Sequence, residues 1–196
     1  FASAIIPKMA LDEPEIFFPM EDSRKRRILT AENRETVLLQ MEKEDRFGQY
    51  RALVRSSFAR DASIMFVVPT HFDAAQAKEE LSKGISEFVH TIDTWSEALD
   101  EKHPVLFITT PSGLLLPRSD IDTLIVERAS SRSYRMLARP YADLRYFAER
   151  LAKRREWRLV LGDSVLSVET LWREKNGEFG SGLFAPGEYS LVRWRL

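Results

Sequence analysis

The chain has 196 residues, 44% of them hydrophobic and 30% charged, with a formal net charge of −1 and no cysteine. That length suits one domain with a sizeable core, and the lack of thiols excludes disulfides, cysteine nucleophiles and thiolate zinc sites. No apolar run approaches the ~20 residues of a membrane-spanning helix, so no membrane partner and a cytoplasmic location are the expectation.

Residues 1–28 carry Pro7, Pro14 and Pro19 and end in Arg24-Lys25-Arg26-Arg27, so they read as a linker or packed N-terminal arm. The chain begins at Phe1 with no secretory pattern and reads as a segment of a longer polypeptide. "LTAENRETVLLQM" predicts a helix, with Thr30 as N-cap and Val37, Leu38 and Met41 as its apolar stripe. "GQYRALVRSSFA" carries the helical period through Tyr50, Leu53, Val54 and Phe58, and "SIMFVVP" is a buried strand closed by Pro69. "FDAAQAKEEL" predicts a helix, "ISEFVHTI" a strand or a helix end, "WSEAL" a short helix and "PVLFITT" another buried strand. "DTLIVE" is a third buried strand, and "WRLVLGD" a fourth. Between them "YADLRYFAERLAKRRE" is an amphipathic helix with Leu144, Phe147, Ala148 and Leu151 on one face. Strands that are apolar throughout need helices on both faces, so the pattern predicts an α/β fold with a mainly parallel sheet flanked by helices. Beyond Thr170 the chain turns glycine-rich and ends in an alternating run that reads as an exposed strand, which places the end of the core domain near Trp172.

Charge is uneven along the chain. Ten Lys/Arg lie between Arg128 and Arg158 against Asp143, Glu149 and Glu156. A solvated helix face with pairs such as Glu149 and Lys153 accounts for this stretch, and a phosphate-binding surface is the alternative.

In parallel α/β domains function gathers at the carboxyl ends of the strands, here Pro69-Thr70, Thr109 to Pro117, Glu127 to Tyr134, and Gly162 to Thr170. "LTAEN", "FVVPT", "FITTPSGLLLP", "LIVERASSRSY" and "LVLGDSVLSVET" occur in the order and at the spacing of one family's motifs. Together they resemble the first RecA-like lobe of the primosomal protein N′ family, replication-restart DNA helicases of superfamily 2, from Leu29 to Trp172. The resemblance implies a RecA-like P-loop NTPase fold for residues 29–172, with 173–196 opening a following region. It also implies forked or single-stranded DNA as partner, ATP and magnesium as the family's cofactors, and a second helicase lobe and an N-terminal DNA-binding domain in the same longer chain.

Set against the family's motifs, the residues of nucleotide chemistry are missing. The phosphate loop G-x-x-x-x-G-K-[ST] falls on "QMEKEDRF", Gln40 to Phe47, with Arg46 at the lysine, Phe47 at the hydroxyl residue and no glycine. Such a loop works by bringing backbone N–H groups to phosphate oxygens. Glu42, Glu44 and Asp45 would instead set negative charge beside a polyanion, at a cost of about 4 kcal/mol per pair at 4 Å and an effective dielectric of 20. At the acidic motif D-E-E-H, Glu127 stands at the aspartate, Arg128 and Ala129 at the glutamates and Ser130 at the histidine, while Ser133, Tyr134 and Arg135 keep the following S-Y-K pattern. The motif G-S-A-T-P-S becomes Gly162-Asp163-Ser164-Val165-Leu166-Ser167. In the DNA-facing motif Thr110, Ser112, Leu114 and Pro117 are kept and Pro111 replaces an arginine.

Asp45, Arg46, Phe47, Glu127 and Arg128 are therefore expected at a remnant nucleotide site, and Thr110, Ser112, Arg132, Tyr134 and Arg135 at a nucleic-acid surface. Capping of the following turn is an equal reading for Thr110 and Ser112. Glu127 and Asp163 end two predicted strands and could form a carboxylate pair, although Arg128 or another nearby arginine neutralising them is the preferred account. The scattered His71, His90 and His103 give no metal-ligand spacing, and the tryptophans are read as core or interface. No catalytic residue, metal or resident cofactor is expected. The leading reading is a degenerate helicase lobe that binds DNA or scaffolds partner domains. An active lobe with an unorthodox nucleotide site is the second reading, and a structural module without DNA contact the third.

Overall fold

The computed structural model describes residues 36–91, 94–139, 141–179, 183 and 184. Short apolar runs become strands: β1 (Thr36–Gln40), β2 (Ser63–Val67), β3 (Val89–Thr91), β4 (Leu106–Thr109), β5 (Ile121–Glu127), β6 (Arg158–Asp163) and β7 (Leu183–Phe184). Between them run α1 (Lys43–Phe58), α2 (His71–Leu81), α3 (Trp95–Asp100), α4 (Leu144–Arg155) and α5 (Val168–Lys175). The strands lie in the order β3-β4-β2-β5-β6-β1-β7, and every pairing is parallel. This is the expected α/β fold, a parallel sheet flanked by helices, consistent with a RecA-like or Rossmann-type arrangement.

The two-residue period of the strands divides the core. Leu38, Met65, Val67, Leu124, Val126, Leu159 and Leu161 face a layer containing Ala148 and Ala152 of α4, with Leu144, Phe147 and Leu151 packed at its side. Leu39, Ile64, Phe66, Ile125 and Val160 face Phe47, Tyr50 and Val54 of α1 and Ala77 and Leu81 of α2. From β1 the connections through α1 and α2 run toward the β3 edge, whereas those through α4 and α5 run toward the β7 edge. Right-handed crossovers in opposite directions put helices on opposite faces, and a crevice opens where strands with helices on different faces adjoin at their carboxyl ends. Here that crevice lies at the carboxyl ends of β1 and its neighbour β6, with β5 next in the sheet.

The sequence-based expectation fails at two elements. The helix expected from "LTAENRETVLLQM" is, over Thr36–Gln40, the strand β1, paired to β6 and β7. The stripe Val37, Leu38, Met41 fits a helix, but Leu38 and Leu39 enter opposite core layers, which only a strand allows. The boundary expected at Trp172 falls inside α5, and the chain returns beyond it to add β7 beside β1. The N-terminal arm, Thr30 and the final alternating run lie outside the described residues.

Candidate functional site at the carboxyl edge

β1 ends at Gln40 and α1 begins at Lys43, so Met41 and Glu42 alone connect them. Of the eight positions set against a phosphate loop, Gln40 closes β1, Met41 and Glu42 form the turn, and Lys43 to Phe47 already belong to α1, whose first turn carries Glu44 and Asp45. Those carboxylates suit the positive end of the helix dipole.

Arg46, on the first turn of α1, is 2% exposed and turns into the crevice. It meets Glu127, the last residue of β5, itself 4% exposed. Nη2 donates to Glu127 Oε1 at 2.6 Å and Nε to Oε2 at 2.9 Å, a bidentate fork between residues 81 apart in sequence. Nη1 donates to the Met41 carbonyl at 2.5 Å and, weakly, to Ser164 Oγ at 3.5 Å. Tyr50, one helical turn on, donates its hydroxyl to Glu127 Oε2 at 2.6 Å. The Glu127 carboxylate thus accepts three hydrogen bonds from Arg46 and Tyr50.

The electrostatics follow from burial. Burial disfavours the Arg46 charge, but the hydrogen bonds and negative charge of Glu127 outweigh this and raise its pKa above the ordinary arginine value. Burial and the Glu127 carboxylate push the Tyr50 phenol well above its usual value, so it stays a neutral donor. Gly162 of β6 permits the arrangement, because a Cβ there would stand 1.7 Å from the Tyr50 hydroxyl.

The surrounding loops are joined as well. Asp163 accepts from the backbone N–H of Ser130 and of Ser164, each at 2.8 Å, and so does not pair with Glu127. Arg128, at φ 52°, turns from the crevice and meets Asp73 of α2 at 2.7 Å. A non-glycine residue in this left-handed region costs about 1–3 kcal/mol. Fully buried Leu124, Ile125 and Val126 just before it each contribute about 1.5–3 kcal/mol, enough to hold the strand end in place.

Of the residues expected at a remnant nucleotide site, the structure therefore brings together Arg46 and Glu127. Asp45 is exposed on α1, Phe47 is buried against Tyr50 and Phe66, and Arg128 belongs to the Asp73 pair. The neutralising partner of Glu127 is Arg46 and not Arg128. Tyr50 and the Met41 carbonyl completed the site without any sequence signal marking them, whereas Gly162 and Ser164 lie in a strand-end segment that the sequence had already singled out.

The residues expected at a nucleic-acid surface all leave the same edge, after β4 and β5. Ser112, Arg132 and Arg135 are exposed, and Arg135 holds Asp143 loosely at 3.8 Å. Thr110 is nearly buried, with its hydroxyl 2.8 Å from that of Ser112. Tyr134 must be withdrawn from such a surface. It is 1% exposed, and its hydroxyl donates to the Glu127 carbonyl at 2.7 Å and, at 3.2 Å, to that of Val67. The aromatic ring thereby pins the turn after β5 to the ends of two strands.

Magnesium-bound nucleotide fits this crevice poorly. The buried Glu127 carboxylate is engaged by Arg46 and Tyr50, the turn Met41-Glu42 before α1 contains no glycine, and the Arg46 guanidinium is itself committed to Glu127. Among the described residues no group of three or more His, Asp or Glu could hold a metal ion, and no helix is long and apolar enough to cross a membrane. A recess of about 250 Å³ lies at the opposite, amino-terminal edge of the sheet, lined by Asp61, Glu101, Lys102 and Asp120 among others. No protein-family model matches the chain, and no curated protein is significantly similar to it.

Proposed function

We propose that this domain is a helicase-type RecA-like lobe that has lost nucleotide chemistry and serves as a DNA-binding or scaffolding element in a replication-restart protein of the primosomal protein N′ type. One observation carries the reading: Arg46, at the position of the phosphate-loop lysine, is spent on Glu127, at the position of the metal-orienting acid. Phosphoryl transfer needs both groups directed at a ligand, and here each satisfies the other. The two-residue turn before α1 supports the same conclusion independently.

The DNA-binding part of the reading draws on Arg132, Arg135 and Arg139, three exposed arginines that follow β5. Contacts of this kind position a protein on phosphates without reading sequence. A second helicase lobe and an N-terminal DNA-binding domain are the partners the resemblance suggests within a longer chain.

Thermal melting with magnesium and ATP tests the loss of nucleotide chemistry. A ligand held at 100 times its Kd adds about 2.7 kcal/mol, which raises the melting temperature of a domain of this size by roughly 5–10 °C. The expected result at millimolar ATP is no shift and no turnover. Micromolar affinity, or hydrolysis abolished by Glu127→Gln, would establish the active-lobe reading instead.

A further inference from the structure

Three segments that leave the carboxyl edge of the sheet meet on one side chain. Arg46 donates to the Met41 carbonyl in the turn after β1, to both oxygens of Glu127 at the end of β5, and at 3.5 Å to Ser164 after β6. The same turns are tied to one another by the Met41 N–H on the Asp163 carbonyl (3.2 Å), the Ala129 N–H on the Gly162 carbonyl (3.0 Å) and the Ser130 hydroxyl on the Val165 carbonyl (2.8 Å). The Leu166 N–H returns to Gln40 Oε1 at 3.1 Å. In a ligand-binding crevice of this topology, loops from neighbouring strands converge on the ligand. In this chain they converge on a guanidinium carried by α1.

We propose that Arg46 is a built-in occupant of the crevice, a conformational lock that holds the turns after β1, β5 and β6 in one arrangement, so that the surface they offer a partner is complete without any small-molecule ligand. The lock rests on the reading of the crevice as filled and is independent of what binds the surface. Its chemistry is specific to arginine. The planar fork satisfies both carboxylate oxygens while its remaining nitrogen reaches a carbonyl, which the point charge of a lysine cannot do at once. Removing one partner of a buried pair strands the other's charge, whereas replacing both by apolar groups removes the tie without leaving a charge behind. A lock and a mere stabilising contact are therefore separable.

Amide hydrogen exchange on the whole chain makes the separation. In the unaltered protein the N–H groups of Met41, Ala129, Ser130, Ser164 and Leu166 are expected to exchange slowly, at rates that magnesium and ATP leave unchanged. In Arg46→Met/Glu127→Leu these amides should exchange at least tenfold faster while those of β2 keep their rates, and Arg46→Lys should give the same pattern in weaker form. The lock is overturned if the five amides of the unaltered protein exchange like exposed loops. It is equally overturned if the double variant leaves them as protected as before, or accelerates β2 by the same factor. Calorimetry with ATP on the same samples keeps the two ideas apart. Nucleotide binding alongside slow, unresponsive amides places the nucleotide outside the filled crevice, which refutes the loss of nucleotide binding and leaves the lock standing, whereas fast amides without nucleotide binding refute only the lock.

Discussion

Glu127 shows how one residue's chemistry is decided by what faces it. A carboxylate at the end of a buried strand in a crevice is well placed to orient a metal, yet with Arg46 and Tyr50 on its oxygens it is a satisfied core group. Gly162 is the quiet member of this set. Its missing side chain leaves the space that the Tyr50 hydroxyl fills, and a Cβ would also come within 3.0 Å of Arg46 Cδ. Gly162→Ala should destabilise the protein by about 1–3 kcal/mol through overpacking, because Tyr50 must shift and release Glu127. Tyr50→Phe removes the atom in closest conflict, so Gly162→Ala should cost measurably less in a Tyr50→Phe background. Urea unfolding of the four proteins gives the coupling, and additive losses would show that Gly162 and Tyr50 act separately. Half of this site was legible in the sequence. Glu127 stood out as an acid closing an apolar strand, and Arg46 only through the resemblance that set it at a phosphate-loop lysine. Their union was not legible, since it joins residues 81 apart through the register of β1, β6 and β5.

The elements were legible wherever one physical signal dominated. β2 and β5 are buried at every position, and such runs are too short for helices and too apolar for loops. β1 was misread because five residues of mixed character satisfy helical spacing and strand alternation alike, and only sheet pairing decides between them. α5 went unanticipated because it is only eight residues long and follows a strand end without a clear apolar run. Leu171 packs on the core while Val168 and Trp172 are exposed, and Ser167 caps the helix by accepting from the Thr170 N–H. α4 is better marked. Asp143 caps it by accepting from the Arg145 N–H at 3.0 Å and receives the Arg145 guanidinium at 2.6 Å. Burial alone would raise the Asp143 pKa, but the Arg145 hydrogen bonds and charge outweigh it and hold the carboxyl below its usual range. A depressed folded-state value means that stability is fully present above the unfolded value of about 3.9 and is lost as pH falls through the lower folded value. Asp143→Asn keeps a capping oxygen and loses the charge. It should cost about 0.5–1 kcal/mol at neutral pH, and its unfolding free energy should converge on that of the unaltered protein as pH falls below about 4. A constant difference across that range would assign the effect to packing.

At the scale of the whole molecule the two edges of the sheet differ in what they offer. The amino-terminal edge holds a recess with charges of both signs, including Asp61, Lys102 and Asp120. The carboxyl edge has its crevice closed from within, and the turns it fixes continue into Arg132, Arg135 and Arg139, which point to solvent. A phosphate backbone laid there would meet cations that the fold does not need for itself. Arg135 is exposed and stands 3.8 Å from the partly buried Asp143, an ion pair worth about 0–1 kcal/mol. Replacing the three arginines by alanine should therefore leave the melting temperature nearly unchanged. Each phosphate neutralised on a single strand contributes about 0.7 to the slope of log K against log salt concentration, so loss of three contacts should flatten that slope by about 2. Fluorescence anisotropy with single-stranded and forked DNA across a salt series measures it directly. A slope that survives the triple substitution would move the phosphate contacts to other cations, such as those of α4, where Lys153, Arg154 and Arg155 close the helix. Absent or salt-independent binding would leave a structural module, in which the locked edge serves to seat a neighbouring domain.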